Sequence, residues 1–104
     1  MKIYMYDEVF VDLNCVESVD GQSDLWVYYE KPVSGAIGRW SATGVLTQCQ
    51  YTTVRNVDLD EEGTWVLQPW SDTYGVHGDK VEMQVFPPLF PFKVGSQSAY
   101  MIGV

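Results

Sequence analysis

Residues 58–69, DLDEEGTWVLQP, constrain the fold most, because a polar turn runs directly into a strand that opens on a large aromatic. Asp58, Leu59, Asp60, Glu61, Glu62 and Gly63 form an acidic turn with one apolar anchor. Thr64, Trp65, Val66, Leu67 and Gln68 then have strong strand composition. Pro69 marks a strand end or an edge.

Period-two patterns recur on both sides of this stretch. Residues 2–6 and 9–13 predict an N-terminal strand pair with a bend at Asp7 and Glu8; Val9, Val11 and Leu13 alternate there with Phe10 and Asp12. Residues 14–23 predict a loop with room for a short strand at 15–17. Residues 25–31 alternate Leu25, Val27 and Tyr29 with Trp26, Tyr28 and Glu30, and residues 32–35 turn the chain. A shorter strand over 37–43 centres on Trp40, and Gly44 breaks it. Residues 45–53 then place Val45, Thr47, Cys49 and Tyr51 on the core side. Residues 70–79 predict a hairpin loop, and residues 80–86 a final strand with Val81, Met83 and Val85 on one face. Residues 87–92, PPLFPF, predict an extended, apolar, proline-locked arm that continues to residue 104. No segment has helical periodicity. About seven strands between turn signals predict an all-β antiparallel sandwich over 1–86 and an extended C-terminal arm over 87–104.

The spacing from Glu61 to Leu67, acidic-x-Gly-x-aromatic-x-apolar, resembles the E–F corner of immunoglobulin-like sandwiches. Trp65 stands where the resemblance places a corner tyrosine, so an indole N–H replaces a hydroxyl. Leu67 stands where antibody domains carry the second core cysteine, which excludes their disulfide.

At 104 residues the chain is long enough for one domain with a core of its own. Its residues are 46% hydrophobic and 14% aromatic with 19% charged, which excludes a disordered segment and leaves aromatic surface for contacts. The formal net charge is −8, and the basic residues Lys2, Lys31, Arg39, Arg55, Lys80 and Lys93 are scattered, which argues against nucleic-acid binding. Cys15 and Cys49 fit no zinc or redox motif; one bridge and two buried free thiols both remain open, and composition favours the thiols. Early acidic residues and the lack of a long apolar run predict no signal peptide, no membrane span and synthesis in a cytoplasm.

No residues stand out as catalytic, cofactor-binding or metal-binding. His77, the single histidine, is expected in a solvent-facing loop; an enzyme would have to build a polar cleft from it with Asp72 and Asp79. Asp58, Asp60, Glu61 and Glu62 offer calcium ligands by type, yet the run lacks EF-hand spacing and reads as a solvated turn. Core packing claims Trp65 and Trp40. Trp26, Tyr28, Trp70 and Tyr74 remain as a surface set for partner binding, with protein contact favoured over sugar stacking. In the arm, Leu89, Phe90, Phe92, Tyr100, Met101 and Ile102 offer apolar area to a neighbour or to the chain's own sheet.

Taken together, the N-terminal strand pair, residues 27–35 (VYYEKPVSG), the Trp40 strand and residues 58–68 resemble small immunoglobulin-like proteins of tailed-bacteriophage virions. These include upper-baseplate immunoglobulin-like domains and related head and tail accessory proteins. The resemblance implies a non-enzymatic virion protein present in multiple copies. Its implied partners are other virion structural proteins on head, neck, tail or baseplate, and copies of itself, with no small-molecule substrate and no cofactor. A carbohydrate-binding or host-adhesion module using exposed Trp and Tyr is the alternative.

Overall fold

The computed structural model describes residues 2–88 and the backbone of one further strand, Ser98–Gly103. All regular structure among the described residues is β, in two sheets that share one core, an arrangement compatible with a β-sandwich. The strands are β1 (Ile3–Tyr4), β2 (Glu8–Asn14), β3 (Leu25–Glu30), β4 (Ile37–Ser41), β5 (Thr43–Val45), β6 (Gln48–Thr52), β7 (Gly63–Ser71), β8 (Gly75–Val76), β9 (Val81–Phe86) and β10 (Ser98–Gly103). The larger sheet has the order β1-β9-β7-β3-β4 with β8 paired to β7, and the smaller has the order β10-β2-β6-β5. No helix among the described residues is long and apolar enough to cross a membrane.

Alternation dictates the core. Leu25 and Val27 of β3, Trp65 and Leu67 of β7, and Met83 and Val85 of β9 point inward and are buried, opposite Val9, Val11, Leu13 and Cys49 of the smaller sheet. An aromatic stack joins the layers. Trp40 lies flat on Tyr51 of the other sheet, with centroids 4.9 Å apart and planes at 12°. It also stacks at 6.1 Å on Trp65, and Tyr29 tilts against both tryptophans at 4.7 and 5.6 Å. The Trp65 indole N–H donates to the Glu61 carbonyl at 2.9 Å, so it ties the strand to the turn before it without needing a hydroxyl. Gly63 makes the approach possible: its φ of +120° suits glycine, and a Cβ there would stand 2.7 Å from Pro32.

The acidic turn is more than a solvated face. Glu61 accepts the Val33 and Ser34 N–H groups at 3.0 and 2.9 Å, Asp60 pairs with Lys31 at 2.9 Å, and Asp58 accepts from Tyr51 Oη and Val54 N. These carboxylates clip the β3–β4 turn and the end of β6 onto the base of β7. Burial, followed by the Asp58 carboxylate, pushes the Tyr51 phenol well above its ordinary range.

Several expectations are corrected. Residues 2–6 and 9–13 do not pair with each other; β1 runs parallel to β9 and β2 antiparallel to β6, in different sheets. Tyr6, at φ 72°, and the buried Asp7, whose carboxylate accepts the Tyr4 N–H at 2.8 Å, turn the chain from one sheet to the other. Residues 15–17 form no strand. The strand expected over 45–53 is split: Leu46, at φ 55°, turns the chain between β5 and β6, and Val45 is exposed. Gly44 sits inside β5, where a Cβ would fall 2.0 Å from the Val19 carbonyl oxygen. Pro69 lies within β7. Its carbonyl accepts the His77 N–H, so its nitrogen faces the same side, in the gap between the β9 ladder ending at Leu67 and the β8 ladder starting at Trp70. The described strands number ten instead of about seven, and β1–β9 and β10–β2 are parallel.

Thr53 shows how tightly the crossing is held. Its buried hydroxyl accepts the Val9 N–H at 2.8 Å and donates to the Asp7 carbonyl at 3.0 Å. Thr53→Val keeps the shape but strands both buried groups, and is expected to cost roughly 2–4 kcal/mol in urea unfolding, while Thr53→Ser stays within about 1 kcal/mol.

Candidate functional site

The parity that buries Leu25, Val27, Trp65 and Leu67 turns Trp26, Tyr28 and Glu30 of β3, and Val66, Gln68 and Trp70 of β7, to the outside of the larger sheet. Three of the predicted contact aromatics therefore share one face. Trp26 and Trp70 are direct cross-strand partners, and Tyr28 meets Trp70 edge-on at 5.4 Å and 65°. Tyr28 and Trp70 form a ridge within a groove of about 350 Å³. Ile37 of β4 and Val76 of β8, 70% and 57% exposed, flank it, and Glu30, Gln68 and Lys80 add polar groups to its lining.

Trp26 lies beside this groove and is already engaged. The Arg39 guanidinium covers its ring at 3.9 Å, its indole N–H donates to Asp72 at 2.9 Å, and Arg39 approaches Asp72 at 3.9 Å. A second carboxylate holds the turn that follows Trp70. Asp24 accepts from the Thr73 hydroxyl at 2.5 Å, the Ser71 hydroxyl at 3.0 Å and the Thr73 N–H at 3.0 Å, which fixes the turn after β7 to the start of β3. The Thr73 hydroxyl above all, with Ser71 and the Thr73 amide, holds the Asp24 carboxyl below its ordinary range. The Ser34 hydroxyl, followed by the Ser34 and Val33 amides, does the same for Glu61. A carboxyl depressed in the folded state stabilises above its unfolded pKa, and that contribution is lost as pH falls through the lower folded value. Acid melts of the wild type should show this loss and Asp24→Asn a smaller one, with the Asp24 side-chain carbon titrating in NMR below a model peptide.

Tyr74 stands apart from the groove, 63% exposed and stacked on His77 at 5.8 Å. His77 is no solvent-facing residue: it is 2% exposed, its Nε2 has no hydrogen-bond partner among the described residues, and the nearest carboxylate oxygen, on Glu17, is 4.0 Å away. Its backbone accounts for its position, since its N–H goes to Pro69 and its carbonyl accepts from Val16. Asp72 is committed to Trp26 and Arg39, so it does not join His77 in a cleft. No cluster of three or more metal-ligating side chains occurs among the described residues.

Cys15 and Cys49 are free thiols, and the Cys49 thiol donates to the Trp26 carbonyl at 3.7 Å. Burial pushes the Cys49 thiol up to about 12, and burial also raises the half-buried Cys15. An aromatic disulfide reagent at mildly alkaline pH should therefore label Cys15 roughly tenfold or more faster than Cys49, as read by mass spectrometry of the tryptic peptides.

Of the arm residues, Leu89, Phe90 and Phe92 lie outside the described residues. The backbone positions of Tyr100, Met101 and Ile102 stand in β10 opposite Phe10, Val11 and Asp12 of β2, so this part of the arm is a strand on the chain's own sheet. No protein-family model matches the chain, and no curated protein or solved structure matches it either. Its role must be inferred from its own surface.

Sequence reasoning missed half of that surface. Val66 and Gln68 share the parity of Trp70 and were open to view, whereas Ile37 and Val76 join the groove only through the pairing of β4 and β8, which no local signal announces.

Proposed function

We propose that this chain is a non-enzymatic, multi-copy bacteriophage virion accessory protein, an immunoglobulin-like sandwich that docks on other virion structural proteins through the outer face of its larger sheet. The order β9-β7-β3-β4 facing β2-β6-β5 supports the immunoglobulin-like reading, as it matches strands G-F-C with an added C′ against B-E-D. The Trp65 indole bound to the backbone four residues upstream supports it too, in the manner of a corner tyrosine.

The observation that carries the docking role is the Tyr28–Trp70 ridge flanked by the exposed Ile37 and Val76. Aromatic side chains at the centre of such a patch, with charged groups at its rim, are the usual anchors of protein interfaces. A sugar-binding reading draws on Glu30, Gln68 and Lys80, which could hydrogen-bond hydroxyls beside an aromatic wall. Gln68 weakens it, because its amide already donates to the Gly78 carbonyl at 3.0 Å.

Mass-spectrometric and cryo-EM localisation in purified particles tests the reading directly; absence from particles would overturn it. Trp70→Ala should lower incorporation roughly thirtyfold, for an anchor worth about 2 kcal/mol, with thermal stability nearly unchanged. Glycan-array binding that Trp70→Ala abolishes, with normal incorporation, would favour the adhesion reading instead.

A further inference from the structure

The groove and the sequence PPLFPFK at residues 87–93 suit each other in spacing, chemistry and charge. We propose that the proline segment of one copy of this chain docks across the Tyr28–Trp70 ridge of a second copy. This rests on the docking role given above and names a partner for it.

Pro88 and Pro91 are spaced P-x-x-P. In a polyproline II peptide, with about 3.1 Å rise and three residues per turn, such prolines fall on one edge about 9 Å apart. From β4 across β3 and β7 to β8 the groove spans three strand spacings, about 14 Å, with the aromatic ridge between. Two prolines can therefore sit on either side of the ridge. Pro-rich peptides bind aromatic-lined grooves because they bring apolar area already ordered, and their unpaired carbonyls seek donors. The Trp70 indole N–H has no acceptor among the described residues and is suited to that use.

Charge selects the same segment. A chain of net charge −8 repels its copies, yet residues 83–104 contain no acidic residue and one lysine, Lys93. A peptide that crosses the ridge with Pro91 brings this lysine, two residues on, toward the exposed Glu30 of the groove.

Geometry keeps Pro91 from the Trp70 end of the chain's own ridge. The β7–β9 register sets Phe86 level with residue 62, eight residues along β7 from Trp70, or about 26 Å. Pro91 follows Phe86 by five residues and reaches at most about 18 Å. A contact from one copy's segment to another's groove either closes reciprocally between two copies or continues head-to-tail into rings or rows.

The test uses the isotope-labelled full chain and a synthetic peptide of residues 86–94. The expected result is saturable amide shifts confined to β3, β4, β7 and β8, with affinity about tenfold or more weaker for Trp70→Ala protein and for a peptide with both Pro88 and Pro91 replaced by Ala. The same double substitution in the full chain should remove concentration-dependent association in sedimentation velocity. No saturable shift at millimolar peptide, shifts on other faces, or unchanged association of the double variant would each overturn the proposal. The wild-type shift map needs no variant to fold. If the peptide does not bind while Trp70→Ala still blocks entry into particles, this proposal fails and the docking role stands.

Discussion

The indole of Trp65 is the constraint on which the rest of the fold depends. It is fully buried, its ring is one plate of the stack that spans both sheets, and its N–H is satisfied by the backbone of its own turn. A buried indole without that acceptor would carry an uncompensated donor, at a cost of about 1–3 kcal/mol. The turn must therefore deliver the Glu61 carbonyl to it, and the carboxylates of Asp58, Asp60 and Glu61 hold the turn against β6, Lys31 and the β3–β4 turn.

That arrangement divides the aromatic residues by parity. Tyr29, Trp40, Tyr51 and Trp65 fill the interior and join the layers, while Trp26, Tyr28 and Trp70 face outward on the same sheet. Tyr29 and Trp65 of the inner set stand on β3 and β7, the two strands that carry the outer set. The outer ridge is thus mounted on strands whose inner residues Leu25, Val27, Trp65 and Leu67 are buried in the core, which lowers the ordering cost of any contact it makes. Arg39 and Asp72 settle Trp26, whereas Tyr28 and Trp70 keep a face toward the groove.

Much of this was legible in the residues, because strict alternation leaves a strand little choice of face. Leu25, Val27, Met83 and Val85 follow from that rule as inward and Tyr28 as outward, whereas Trp70, expected in a hairpin loop, belongs to β7 and takes its outward face from that strand. The rule says nothing about which strands meet. Tyr6 and Leu46 adopt left-handed backbone conformations that their side chains disfavour, so the sheet crossing and the β5–β6 hairpin had no glycine to mark them. His77 was expected in solvent because residues 70–79 read as a loop, but its backbone bonds to Pro69 and Val16 draw the ring inward. The groove was half visible for the same reason: Val66 and Gln68 follow from parity, while Ile37 and Val76 depend on tertiary pairing.

The two parallel pairings place the start and the end of the chain side by side in both sheets, β1 along β9 and β10 along β2. When opposite ends of such a pair are pulled apart, the strands slide past each other lengthwise, and the bonds across the ladder must give together instead of one at a time. A domain tethered by its termini would meet mechanical load in this shearing geometry, with the six-residue β10–β2 ladder as its clamp. Such a load would be borne by backbone pairing before it reached the core.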